Sequence, residues 1–237
     1  TDNLGAFNAI PALAANEGSA ATTVDLAGYC TDVESNVPQL MVLNSQSDAD
    51  LNCSLLTSPY RVQCTPNYKN GAANWSGAVG LGCLLNDYGT AYTQNLTVNV
   101  SNVYRPPTLA AISGQNVTSG VAITPVQPVG ASVDMESINY SCQFDNLADG
   151  AVGAGAALCT TLLNQGGGNA TFAGSPVTLN WTPPLSVGGQ TFEFKITATG
   201  ATSGLTAERV FVINAGYPPP SPSQTTISLS SSSISSG

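Results

Sequence analysis

Apolar and polar residues alternate along much of the chain. Leu96 to Val100 reads LTVNV and Phe192 to Thr199 reads FEFKITAT. A period of two turns one face of a strand toward a core and the other toward water. Arg209 to Asn214 (RVFVIN) is rich in the β-branched and aromatic residues that suit a pleated, half-buried surface. Clusters of Gly, Asn, Pro and Ser interrupt these runs at 164–169, 186–190 and 199–204. No long helical period appears. The Ala-rich run at 148–158 carries three glycines, which weaken a helix. The pattern predicts an all-β chain.

The strand signals recur in order. LGAFNAIPALAANEG closes on Gly18, LAAISGQNVTSG on Gly120 and ISLSSSSISSG on Gly237. Asp32 to Ser35 (DVES) matches Asp134 to Ser137 (DMES), and Cys53 in LNCSLL matches Cys159 in ALCTTLL. Asn74 to Ser76 (NWS) matches Asn180 to Thr182 (NWT), and LTVNVSNVYRPP matches RVFVINAGYPPP. Ordered self-similarity at about 100 residues, with many short strands, indicates tandem β-sandwiches. The expected organisation is one Ig-like β-sandwich over 1–105, a second over 106–217, and a Pro-rich linker with an extended strand over 218–237.

Composition removes several functions. Only 8% of the residues are charged; 5 Lys+Arg against 14 Asp+Glu give a net charge of −9, and there is no histidine. A nucleic-acid footprint needs clustered Lys and Arg, so nucleic acid is not a partner. A polybasic membrane contact is missing for the same reason. No run of about 18 apolar residues offers a membrane-spanning helix. Chemistry that needs a histidine base or zinc ligand is excluded within the chain.

The six cysteines are Cys30, Cys53, Cys64, Cys83, Cys142 and Cys159. None forms a C-x-x-C pair, so their even number points to disulfides and an oxidising, secreted setting. A division near residue 105 separates the first four from the last two. That leaves three pairings open in the first part and Cys142–Cys159 in the second. The start at Thr1 reads as a mature product from which a leader has been removed.

Asn16-Glu17-Gly18, Val24-Asp25-Leu26, Tyr29 and Asp32-Val33-Glu34 resemble the opening of bacterial Ig-like or cadherin-like surface repeats. The segment from Asn169, with Leu179, Trp181 and Pro183 before a Gly-containing turn and two last strands, is similar to the second half of such repeats. The tail TTISLSSSSISSG resembles the first strand of another. Residues 38–90, with extra cysteines and PNYKNGAANWSGAVGLG, depart from the pattern. The resemblance implies spacers, stalks or adhesive modules at a cell surface, and a protein or glycan there, or copies of the chain itself, as partners.

Acidic residues are the candidate metal ligands: Asp32 with Glu34, Asp134 with Glu136, and Asp48 with Asp50. Calcium takes hard oxygen ligands, and cadherin-like modules hold it between repeats. The linker SNVYRPP carries Arg105 and no carboxylate, which favours loop-capping and solubilising roles and no cofactor. Trp75 and Trp181 read either as packing residues or as a carbohydrate platform. Asn-x-Ser/Thr acceptors stand at Asn52, Asn74, Asn95, Asn99, Asn116, Asn139, Asn169 and Asn180. Arg105-Pro106-Pro107 and Tyr217 to Pro220 are expected to be stiff spacers or strand terminators. Ile227 and Leu229 on one face, with Ile234 beyond, read as the first strand of a further domain or as a strand donated to a neighbouring copy. The sequence thus predicts a non-enzymatic extracellular structural or adhesive module. The alternatives are a fibre subunit polymerising by strand addition and a carbohydrate- or calcium-binding surface module.

Overall fold

Two-residue alternation is realised where Leu96, Val98 and Val100 are buried while Thr97 and Asn99 between them are exposed. The structure is a computed structural model and describes residues 6–31, 40–71, 74–84, 91–145, 157–160 and 170–220. The chain divides into two compact units. The first comprises Thr1–Pro106 with Ser132–Ser137 and Gly200–Leu205; the second comprises Pro107–Ala131, Ile138–Thr199 and Thr206–Gly237.

The first unit holds β1 (Ala6–Phe7), β2 (Leu13–Asn16), β3 (Thr22–Asp25), β4 (Cys30–Thr31), β5 (Leu40–Gln46), β6 (Cys53–Thr57), β7 (Tyr60–Cys64), β8 (Trp75–Leu84) and β9 (Ala91–Ser101). A four-stranded sheet runs β2-β9-β8-β5 and a three-stranded sheet runs β3-β7-β6. β2 lies parallel to β9, while β9, β8 and β5 are antiparallel neighbours. Leu96, Val98 and Val100 of β9 and Val79, Leu81 and Cys83 of β8 are buried with Cys53, Val62 and Cys64 of the smaller sheet in one core. Two sheets that share one core form a β-sandwich.

The second unit holds β10 (Thr108–Leu109), β11 (Gln115–Thr118), β12 (Gly130–Ala131), β13 (Ile138–Asp145), β14 (Ala157–Leu158), β15 (Thr171–Ala173), β16 (Thr178–Asn180), β17 (Gln190–Gly200) and β18 (Thr206–Gly216). Its main sheet runs β11-β18-β17-β13-β14, with β11 again parallel to the last strand. The smaller layer is β15-β16, extended by a bridge from Val126 to Leu179. Phe144 and Phe211 stack on Phe194, and Trp181, which is 1% exposed, meets Phe192 edge-on at 5.0 Å and Phe194 at 5.5 Å. The fold is all-β, built from two Ig-like sandwiches.

All six cysteines are paired. Cys30 bonds Cys83, joining β4 to β8; Cys53 bonds Cys64, its direct neighbour across β6 and β7; and Cys142 of β13 bonds Cys159 just beyond β14. In the first unit, therefore, the local pair and the long-range pair are chosen from the three open combinations.

Backbone hydrogen bonds show which positions of the two units correspond. Gly18 N–H donates to the Pro66 carbonyl at 2.9 Å, and Gly120 N–H donates to the Pro183 carbonyl at 2.6 Å. Glu17 N–H donates to Ser101 as Ser119 N–H does to Gly216. Thr65-Pro66 therefore corresponds to Thr182-Pro183, and Trp181 to Cys64. This corrects two sequence landmarks. Trp75 opens β8 opposite Val100, where the second unit has Gln190 opposite Ala215, so the two tryptophans are not equivalent. Cys53 opens β6 and bonds within a hairpin, whereas Cys159 follows β14, so these cysteines differ as well. Strings this short do not fix a register, and the Asn, Ser, Thr and Leu that flank the Trp and Cys are common in the chain. The DVES landmark at 32–35 lies outside the described residues.

Candidate functional site

A group of charged and aromatic side chains sits in the first unit, around the turn that ends β2. Gly18 takes a left-handed conformation there (φ +60°) and lies so close to Tyr68 that a Cβ would come within 2.3 Å of its ring. Only glycine fits both demands. The turn buries Glu17, which is 2% exposed. Glu17 Oε1 accepts from the Trp75 indole N–H at 2.8 Å and from the Lys69 backbone N–H at 3.1 Å; Oε2 accepts from the Val103 N–H at 3.5 Å. A buried carboxylate must be satisfied in this way. The Lys69 ammonium lies 4.3 Å from the Trp75 ring centroid and pairs with Asp48.

Arg105 extends the group. Its guanidinium lies 4.9 Å from the Tyr68 ring centroid and donates to the Lys69 carbonyl at 3.4 Å. It also grips Asp134, which is fully buried: Nη2 and Nε donate to Oδ1 at 2.5 and 3.1 Å, and the Arg105 backbone N–H donates to Oδ2 at 2.6 Å. Burial pushes the Asp134 carboxyl upward, but the hydrogen bonds and charge of Arg105 outweigh it and hold the group below its ordinary value. The hydrogen bond to Asp134 raises Arg105 in turn.

The remaining candidate carboxylates are also engaged. Asp48 accepts from the Asp50 N–H at 2.9 Å, capping the turn Ala49–Leu51, and the Lys69 side chain lowers its pKa most. Glu136 accepts from the Ser203 and Thr202 N–H groups at 3.0 and 3.1 Å and from the Ser203 hydroxyl at 2.7 Å. The Ser203 amide is the leading cause of its lowered pKa. Asp134 and Glu136 thus serve separate partners. Asp32 and Glu34 lie outside the described residues, as do Ile227, Leu229 and Ile234. Among the described residues no three His, Cys, Asp or Glu side chains are grouped to hold a metal ion.

The arrangement is an ion-pair and hydrogen-bond network, and its carboxylates already face an internal cation or backbone amides. Trp75 donates into it and carries Lys69 on its ring. Trp181 is core. Sequence reading missed Glu17 and Lys69 as members. Glu17 lay within the quoted Asn16-Glu17-Gly18 string, yet its partner Trp75 is 58 residues away.

A second feature of the first unit is a shallow trough on the outer face of the four-stranded sheet. Asn44, Ser45, Gly80, Leu81, Thr93, Gln94 and Asn95 line about 270 Å³.

No protein-family model matches the chain, and no curated protein matches it in sequence. Its fold is similar to solved structures. The human protocadherin-24 EC1-2 structure aligns over 92% of this chain and 100% of its own length, at 10% identity and TM-score 0.50. The protocadherin gammaB7 EC3-6 cis-dimer structure aligns over 93% of this chain and 53% of its own, at 13% identity and TM-score 0.50. An endo-fucoidan hydrolase of glycoside hydrolase family 107 aligns over 89% of this chain at 13% identity, but its TM-score is 0.35 and the chain spans only 28% of it. The two protocadherin likenesses show an Ig/cadherin-like fold.

Proposed function

We propose that the chain is a non-enzymatic extracellular module with a structural or adhesive role. The observation that carries this reading is the pairing of all six cysteines within two β-sandwich units. Disulfides form and persist in oxidising compartments, and a cross-linked sandwich resists unfolding and proteolysis there. Two further points support it. The acidic groups of the first unit are tied to Arg105, Lys69, Trp75 and backbone amides, which suits rigidity better than proton transfer. The protocadherin structures that share the fold are extracellular-cadherin fragments, and one of them is a cis-dimer. In this reading the partners are proteins or glycans at a cell surface, or further copies of the chain.

The test is non-reducing peptide mapping of the protein isolated from its native source, followed by timed proteolysis with and without reductant. The expected result is Cys30–Cys83, Cys53–Cys64 and Cys142–Cys159 peptides, with resistance lost on reduction. Free thiols in the native protein would overturn the extracellular reading.

A further inference from the structure

Asn70-Gly71 is the one asparagine–glycine pair in the chain. It stands in a turn directly after Lys69, and both residues are exposed. Gly71 holds φ +111°, and a Cβ placed on it would meet the Met135 side chain no closer than 3.8 Å. Among the described residues, neither the Asn70 side chain nor the Gly71 N–H makes a hydrogen bond. A main-chain nitrogen can attack the side-chain amide of the residue before it when three obstacles are missing: a side chain on its own residue, a hydrogen bond on its N–H, and a strand that fixes both residues. All three are missing at this turn.

Other asparagines of the same unit are guarded. Asn95 and Asn99 stand in β9, paired to β8, and are followed by the buried Leu96 and Val100. Asn52 is left-handed (φ 46°), yet its Nδ2 donates to the Thr65 carbonyl and hydroxyl at 3.2 and 2.7 Å. The amide that would attack it, Cys53 N–H, is donated to Gln46 at 2.9 Å. A free side chain beside a free glycine amide sets Asn70 apart from these three.

We infer that Asn70 is a site of spontaneous covalent modification, converting to aspartate and isoaspartate with water as the only co-reactant. The Gly71 nitrogen attacks the side-chain carbonyl carbon of Asn70. A C–N bond forms, the Gly71 nitrogen gives up its proton, and the side-chain nitrogen leaves as ammonia. The product is a five-membered succinimide. Water opening the ring at the side-chain carbonyl gives aspartate; opening at the main-chain carbonyl gives isoaspartate, whose main chain is one methylene longer. Either way one carboxylate is gained on a chain of net charge −9. The site matters because Lys69 beside it is held at both main-chain groups. Its N–H donates to buried Glu17 at 3.1 Å, and its carbonyl accepts from Arg105 at 3.4 Å. A longer main chain at residue 70 pulls on both bonds, and the new carboxylate competes with Asp48 for the Lys69 ammonium. Modification therefore loosens the network of the first unit. This conclusion is independent of the adhesive role proposed above.

The test is incubation of the freshly purified full chain in mildly alkaline buffer at body temperature, with timed digestion and mass spectrometry using electron-transfer fragmentation. That fragmentation separates aspartate from isoaspartate. The expected result is exchange of NH for O at Asn70 at least about tenfold faster than at Asn52, Asn95 or Asn99, with both products present. Asn70→Ser removes the reacting amide at an exposed position and keeps a residue suited to a turn. Urea unfolding of aged samples is expected to show a lowered midpoint for the parent chain and an unchanged one for Asn70→Ser. Conversion of Asn70 no faster than of the other three, or to aspartate alone, would overturn the succinimide route. Equal loss of stability in the aged parent and aged Asn70→Ser would overturn the link to the Lys69 network.

Discussion

Arg105 holds the buried carboxylate of Asp134 by three hydrogen bonds, two from its guanidinium and one from its own backbone N–H. Side chain and main chain of one residue satisfy both oxygens of another that stands 29 positions away. Removing the cation strands a charge that water cannot reach. Arg105→Ala is expected to destabilise the first unit by about 3 kcal/mol, and Arg105→Lys by less, because lysine keeps the charge and loses the planar fork. Urea unfolding followed on NMR peaks of Leu96 and Val98 measures it. A loss below about 1 kcal/mol for Arg105→Ala would match a solvated pair and refute this account.

Acid should loosen the same unit. Asp134, Asp48 and Glu136 are all held below their ordinary values of 3.8, 3.8 and 4.5. A carboxyl lowered in the folded state contributes stability above its unfolded pKa and loses it as the pH falls toward the folded value. Stability contributed by these groups is expected to be level from neutral pH to about 5 and to decline below that. Asp134→Asn should flatten part of the decline. An unchanged acid slope in that variant would contradict the assignment.

Calcium should leave the protein unmoved. Asp134 already faces a guanidinium, and Glu136 caps the turn at 202–203. The melting temperature is expected to be the same in millimolar calcium and in chelator. A ligand that binds only the folded state raises it at concentrations above its Kd, so a rise of several degrees would reveal a site involving other groups.

The three disulfides should differ in weight. The enclosed spans are 53 residues for Cys30–Cys83, 17 for Cys142–Cys159 and 11 for Cys53–Cys64. Loop-closure entropy alone assigns about 4 kcal/mol to the first and about 3 kcal/mol to each of the others. Paired Cys→Ala variants, compared by chemical denaturation, should show Cys30–Cys83 costing most. Equal losses would mean that local packing and not loop length sets their worth.

Two glycines separate conformation from crowding. Gly18 (φ +60°) and Gly204 (φ +69°) are both left-handed, but a Cβ on Gly18 meets the Tyr68 ring while one on Gly204 meets nothing within 4 Å. Gly204→Ala is expected to cost about 1 kcal/mol, the backbone penalty alone. Gly18→Ala should cost distinctly more, since Tyr68 must leave its place beside Arg105. Thermal or urea unfolding of the two variants gives the comparison, and equal costs would show that Tyr68 moves freely.

The strands were legible in the chain itself. LTVNV and RVFVIN became β9 and β18, because a two-residue period forces one face inward whatever the partner strand turns out to be. The return of the Gly18 and Gly120 turns was legible as well, since each follows a strand laid parallel to the last strand of its unit. What only the tertiary structure decided were the long-range partners. Nothing local in Trp75 says that its indole will meet Glu17, and nothing local in Asp134 names Arg105. The Asn-Trp repeat misled because so short a string does not fix a register, whereas the Thr-Pro positions are equivalent through backbone bonds that no string of letters displays. Alternation is a property of neighbouring residues, and it survives in the sequence. A carboxylate's partner exists only after separate strands are brought side by side, and so belongs to the fold.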